Sequence, residues 1–140
     1  MTAPRPAPFV ERDSAIWWDA VARHELHCAR CDDCGAWRWP VRALCARCGS
    51  LAWSSTPVSG RGTVASWVVN RHDFGGAVPS PSTVVLVRLA EQDDLLMPGA
   101  WSGPADGAGL AVDLPVAVGF LDVPAVDDTP GFTLCTWRSA

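Results

Sequence analysis

The 140-residue sequence contains no lysine and no tyrosine. Its eleven basic residues are all arginine, and fifteen acidic residues outnumber them, for a formal charge of −4. The basic excess that grips a nucleic-acid backbone is therefore missing. No run approaches the roughly 20 apolar residues that would span a bilayer. The first ten residues are proline-rich and lack the apolar stretch of a signal peptide. Residues 1–12 read as a disordered leader, and the chain is expected to be soluble and cytoplasmic, with no membrane or nucleic-acid partner. Twelve glycines and twelve prolines argue against an architecture dominated by long helices. Half of the residues are apolar and 19% are charged, which is a globular composition.

What the sequence does have is cysteine and tryptophan: six of the first, eight of the second. A cytoplasmic chain keeps its thiols reduced, so the cysteines need a reason other than disulfides. Cys31, Cys34, Cys45 and Cys48 form two CxxC units, each followed by glycine, with ten residues between them. A CxxC turn brings two thiolates together, and tetrahedral zinc needs four at about 2.3 Å. A glycine after the second cysteine allows positive φ, so that backbone amides can approach the sulfurs. Two such knuckles on adjacent hairpins make a zinc ribbon. Four thiolates leave no open position, so this zinc is structural rather than catalytic. Free thiols, a redox CxxC or a rubredoxin-type iron are the competing readings. Cys28 also makes a CxxC with Cys31, but Asp32 follows instead of glycine, so Cys28 and Cys135 are left as ordinary thiols. Zinc with four thiolates takes the formal charge to about −6. Arg30, Arg38, Arg42 and Arg47 surround the ribbon and partly offset it.

Residues 13–25 read as a helix with Asp13 as its N-cap. Ile16, Trp17, Ala20, Val21 and His24 recur at three and four residues as one apolar stripe. Adjacent Trp17 and Trp18 cannot both lie on it, so one of them is a candidate partner contact. Residues 26–57 carry the ribbon, with Trp37, Trp39 and Pro40 in the arm between knuckles. The stretch 53–60 reads as a connector. Beyond it the pattern is all-β. Strands are expected over 62–70, 83–90, 95–101, 115–122 and 132–137, so residues 58–140 form a five-stranded closed barrel of the OB type. In the second strand Val85, Val87 and Leu89 share one face.

This order resembles the acyl-CoA-associated zinc-ribbon/OB-fold family known as domain of unknown function 35. The residues that carry the resemblance are Ile16-Trp-Trp-Asp19, Cys31-Asp-Asp-Cys-Gly35, Trp39-Pro40, Cys45-Ala-Arg-Cys-Gly-Ser50, Ser59-Gly-Arg-Gly-Thr-Val64 and the strand 83–89. The fold it implies is mainly β: an N-terminal helix, a rubredoxin-like zinc ribbon and an OB-fold barrel. The function it implies is that of a non-catalytic accessory subunit. Such subunits bind a thiolase-superfamily enzyme, here expected in a 2:2 assembly, which condenses, transfers or cleaves acyl-CoA thioesters in lipid, steroid or polyketide-like metabolism. Some members also bind the acyl-CoA.

No catalytic set stands out. Cys135 with His72 is the one cysteine–histidine pair to be made away from the knuckles, and it has no motif. Asp93-Asp94 and Asp127-Asp128 read as solvated turns. Arg61 sits between Gly60 and Gly62, which would let the backbone pass close to another body. It is a candidate contact for a CoA phosphate or a partner carboxylate. Arg71 and His72 end the same strand and are grouped with it. Trp39 and Arg42, with Trp17 and Trp18, are interface candidates, because tryptophan and arginine are enriched at hot spots and eight tryptophans exceed what one small core needs. The rival functions are an OB-fold nucleic-acid binder, disfavoured by the acidic balance and the missing lysine and tyrosine, and a small stand-alone CoA-thioester enzyme.

Overall fold

The computed structural model describes residues 5–140; residues 1–4 of the expected leader lie outside the described residues. From residue 5 to residue 14 the chain is without strand or helix. One short helix, α1 (Ala15–Ala22), leads into a three-stranded antiparallel sheet of β1 (His27–Cys31), β2 (Trp37–Arg38) and β3 (Trp53–Pro57), ordered β2-β1-β3. Then come β4 (Arg61–Asn70), β5 (Ser82–Leu89), β6 (Leu96–Trp101), β7 (Pro115–Val123) and β8 (Phe132–Ser139). These five close into a barrel in the order β4-β5-β6-β8-β7. Closure pairs every edge, and only β6 with β8 is parallel.

The helix is shorter than expected. Asp13 is not its cap: Ser14 stands at that position, and its hydroxyl accepts the Glu11 amide rather than one from the helix. At the other end His24 takes φ +59°. The His24 amide donates to Val21 and the Glu25 amide to Ala20, which stops the helix in a left-handed turn usually made by glycine. Trp17, Ala20 and Val21 are buried, whereas Ile16 points outward and His24 leaves the stripe.

The stretch 53–60 is not a plain connector. Residues 53–57 form β3 and pair along all of β1, from His27 opposite Pro57 to Cys31 opposite Trp53. Its polar run Ser54-Ser55-Thr56 hides the strand from an apolar-alternation reading. The two-stranded pairing of β1 with β2 alone would be marginal, and β3 completes the ribbon sheet.

In the barrel, alternation holds as read. Thr83, Val85, Val87 and Leu89 point inward, joined by Val64, Leu95, Met97, Val116, Cys135 and Trp137. Strand β4 bends at a bulge between Val64 and Ser66, which lets its start pair with β7 while its whole length follows β5. This explains Gly60 and Gly62 differently from the sequence reading. The body close to them is the barrel itself. A Cβ at Gly62 would collide with the Arg88 carbonyl oxygen, and one at Gly60 would lie 2.5 Å from Val118.

Ribbon, helix and barrel share one core. Trp17 and Val21 of the helix, Leu26, and Cys28 of β1 pack with the inward barrel residues, and Trp18, Trp37, Trp39 and Trp101 pack against that cluster. Most of the surplus tryptophan is thus spent on joining the parts of the chain to one another. Three of the indole nitrogens, of Trp17, Trp101 and Trp137, are buried without a hydrogen-bond partner, so these rings serve as apolar filler.

Candidate functional site

The four knuckle cysteines converge. Strand β1 delivers Cys31 at its end, and the turn after it returns Cys34. The second knuckle repeats the geometry. Gly35 and Gly49 take φ +77° and +76°. The Gly35 amide donates to the Cys31 carbonyl at 3.0 Å, and the Gly49 amide to the Cys45 carbonyl at 2.9 Å. Cys31 and Cys45 each donate their amide onward, to Ala36 and Ser50. All four sulfurs lie within 4.8 Å of one another, with Cys31–Cys48 and Cys34–Cys45 both at 3.6 Å. A tetrahedron with 2.3 Å metal–sulfur bonds has edges of about 3.8 Å. The residues therefore fit one zinc ion.

The electrostatics point the same way. The Cys48 and Arg47 amides pull the Cys45 thiol down to about 6. The Cys34 amide lowers Cys31. At Cys48 the Ser50 amide also favours the thiolate, but Cys31, burial and the other two sulfurs outweigh it and push the group up to about 12. Four thiolates this close repel one another unless a dication sits among them. The donor set is purely sulfur and complete, so zinc here ties the ribbon together. The small ribbon core confirms the need: it consists of Cys31, Ala36 and Cys45.

Cys28 is not a fifth ligand. It stands three residues before Cys31 on the same strand, so the two side chains leave opposite faces. Cys28 enters the shared core, where burial first, then Glu91 and Cys135, push its thiol up to about 12. Burial does the same to Cys135. His72 is exposed, held by two bonds to Asn70 and stacked edge-on with Phe74 at 4.7 Å. A thiol buried in the barrel and an exposed loop imidazole form no nucleophile–base pair.

The other sequence candidates separate into two places. Trp17, Trp18, Trp39 and Arg42 come together: Trp17 meets Trp18 at 4.7 Å and Trp39 at 5.7 Å, both edge-on, and all four line one groove. Arg61 and the Arg71–His72 pair do not, since they lie at opposite ends of the ten-residue β4. Arg61 is exposed and lines a cleft of about 360 Å³ with Arg88. Most of the ribbon arginines are engaged within the chain. Arg30 lies over Trp37 at 4.9 Å, Arg38 lies over Trp53 at 5.7 Å, and Arg47 pairs with Asp94 at 3.3 Å.

Sequence reading missed the seams between the parts. The β5–β6 turn, where Asp93 and Asp94 are exposed as expected, is also a hub. The Gln92 side chain accepts the Trp37 amide and donates to the Trp37 carbonyl, both at 2.9 Å, as a neighbouring strand would. Glu91 accepts the Ser59 amide at 2.7 Å, and Asp94 receives Arg47. On the far side, His24 meets Asp122 at 2.9 Å and stacks on Phe120, while Thr133 donates to the same carboxylate. His24 and Thr133 hold the Asp122 carboxyl below its ordinary value.

Known proteins share this arrangement. Residues 18–54 match the family described as the ChsH2 rubredoxin-like zinc ribbon domain, and residues 55–121 the ChsH2 C-terminal OB-fold domain. A probable enoyl-CoA hydratase alpha subunit of Thermomonospora curvata is 31% identical over 97% of this chain. The 3-oxo-4,17-pregnadiene-20-carboxyl-CoA hydratase alpha subunit of Mycobacterium tuberculosis is 35% identical over 84%. The chain spans only 40% and 36% of those two proteins' lengths. A chain of the solved Ltp2-ChsH2(DUF35) aldolase superposes with a TM-score of 0.81 at 29% identity, over 95% of this chain and 98% of that one. A DUF35 protein of Sulfolobus solfataricus shares the fold, with a TM-score of 0.61 at 12% identity over 94% of this chain and 87% of that one. With ribbon and barrel matched in tandem around a complete four-cysteine site, the chain belongs to the ChsH2-type zinc-ribbon/OB-fold family, domain of unknown function 35.

Proposed function

We propose that this chain is a non-catalytic accessory subunit of a thiolase-superfamily enzyme that acts on acyl-CoA thioesters, assembled with it as a 2:2 complex. The observation that carries the reading is the aldolase likeness. There a ribbon–barrel unit of this size, covered over 98% of its length, is one component of an aldolase named for two proteins. Among the partner reactions open to the family, retro-aldol cleavage has this support. The chain's own chemistry agrees with an accessory role. Its one sulfur cluster is closed, both remaining thiols are buried, and no cysteine–histidine pair occurs among the described residues.

What the chain's residues do in such a complex follows from their placement. Zinc, when bound, supplies a cross-link between knuckles and no reactive position. The knuckles fix the arm that carries Trp39 and Arg42. Arg61, exposed and without an ion pair among the described residues, offers a forked contact to a CoA phosphate or a partner carboxylate. Arg71 and His72 offer a second polar contact at the other end of β4. The test is co-expression with a thiolase-type protein from the same organism. One hetero-oligomer on gel filtration, with retro-aldol turnover that requires both chains, is expected. Two separate species at micromolar concentration would overturn the reading.

A further inference from the structure

The outward side of α1 does not meet the barrel. With the segment before it and the arm after β2, it walls two joined grooves. The first, about 300 Å³, runs between Phe9, Trp18 and Trp39. The second, about 460 Å³, runs from Ile16 to Trp53, and the two meet at Asp13 and Val41. Apolar side chains stand open along this seam: Phe9 is 85% exposed and Ile16 42%. Charged side chains flank it. Glu11 and Asp13, with Arg12 between them on the second groove, lie on one lip and Arg42 on the other, all exposed. None of them forms an ion pair among the described residues. Aromatic rings on the floor and an unpaired guanidinium at the rim are the composition of an interface centre, not of an ordinary solvated face. An eight-residue helix has no stability of its own, so a contact on its open side would also complete its packing.

Resting on the accessory-subunit reading, we infer that this double groove seats the thiolase-type partner subunit. It receives an apolar ridge that carries a basic side chain toward Glu11 and Asp13 and an acidic one toward Arg42. The aldolase likeness says why the partner, rather than a missing part of the chain, is the occupant. The matching chain there is a ribbon–barrel unit alone, without the remainder that the longer curated relatives possess. The contact with the second protein must therefore lie on surface that this chain also has.

A photo-cross-linking amino acid placed at position 9, and separately at the exposed barrel position 68, tests this in the cells that encode the chain. Arg42→Glu provides an affinity measurement on the purified pair. The expected result is cross-linking to a thiolase-type subunit from position 9 and not from 68, with Arg42→Glu weakening the pair at least tenfold while circular dichroism and zinc content stay unchanged. Cross-linking to that subunit from 68 and not from 9, or unchanged affinity for Arg42→Glu, overturns the groove and leaves the accessory reading standing. Cross-linking from 9 to an enzyme of another class overturns the thiolase-type occupant. No cross-link from either position overturns both.

Discussion

The ribbon and the barrel solve the same problem by different means. The barrel buries a row of alternating side chains, among them Val85, Val87, Met97, Val116 and Trp137, all essentially inaccessible. The ribbon has a two-residue strand, a sheet of three short strands and a core of Cys31, Ala36 and Cys45. Burial at about 25 cal/mol per Å² can hold the first and not the second. A metal with four sulfur ligands replaces the missing apolar surface. The difference teaches that one 140-residue chain holds two kinds of stability, joined through a shared layer of Trp17, Val21, Leu26 and Cys28.

Four measurements would break or sharpen that contrast. Metal removal is the largest. Structural zinc contributes about 10–16 kcal/mol in small fingers, so strong chelation, or Cys31→Ser or Cys45→Ser, should unfold β1–β3. Amide exchange should show that loss while β5, β7 and β8 stay protected. Simultaneous loss of protection in β5 would mean that ribbon and barrel are one cooperative unit. Metal analysis of intact protein should give one zinc per chain. Second, Trp137→Ala should cost about 3–5 kcal/mol by denaturant titration, with zinc content unchanged. Third, Gln92→Leu leaves the Trp37 amide and carbonyl without their partner and should cost about 1–3 kcal/mol, through faster exchange at β2 before any change in the barrel.

The smallest effect is one of pH. The Asp122 carboxyl is lowered in the folded chain by His24 and then Thr133. A depressed carboxylate stabilises above its unfolded value, about 3.9, and that stability is lost as pH falls through the folded value. Melting temperature between pH 5 and pH 2 should therefore fall more steeply in the wild type than in Asp122→Asn. Parallel curves would show that the helix is held by burial alone.

How much of this was legible in the sequence follows from the range of each interaction. The knuckles were legible because a metal site is written in local spacing, and the strands of the barrel because alternation is a period of two. Strand β3 was hidden, since Ser54, Ser55 and Thr56 pair by backbone and bury little. Gly60 and Gly62 signal a close approach in the sequence, but the neighbours are Val118 and Arg88 of the same barrel, far off in sequence. The seams were not legible at all. Gln92 reaching Trp37 and Asp122 reaching His24 span 55 and 98 positions, and nothing in either local stretch names the other. The aromatic and arginine candidates fared unevenly for the same cause: composition suggested a surplus, and only three-dimensional placement divides it between an internal seam and an open groove.

The β5–β6 turn has a consequence for how such a chain can change over time. Four residues, 91–94, hold Ser59, Trp37 and Arg47 at once. Surface loops ordinarily absorb insertions at little cost. Here one added residue would shift three anchors out of phase, so the length of this hairpin is frozen. The longer loops 71–81 and 102–114 carry no comparable set of anchors to the ribbon. Relatives that adapt to new partners are expected to vary in length there, keeping the 91–94 turn as the fixed ruler between metal and barrel.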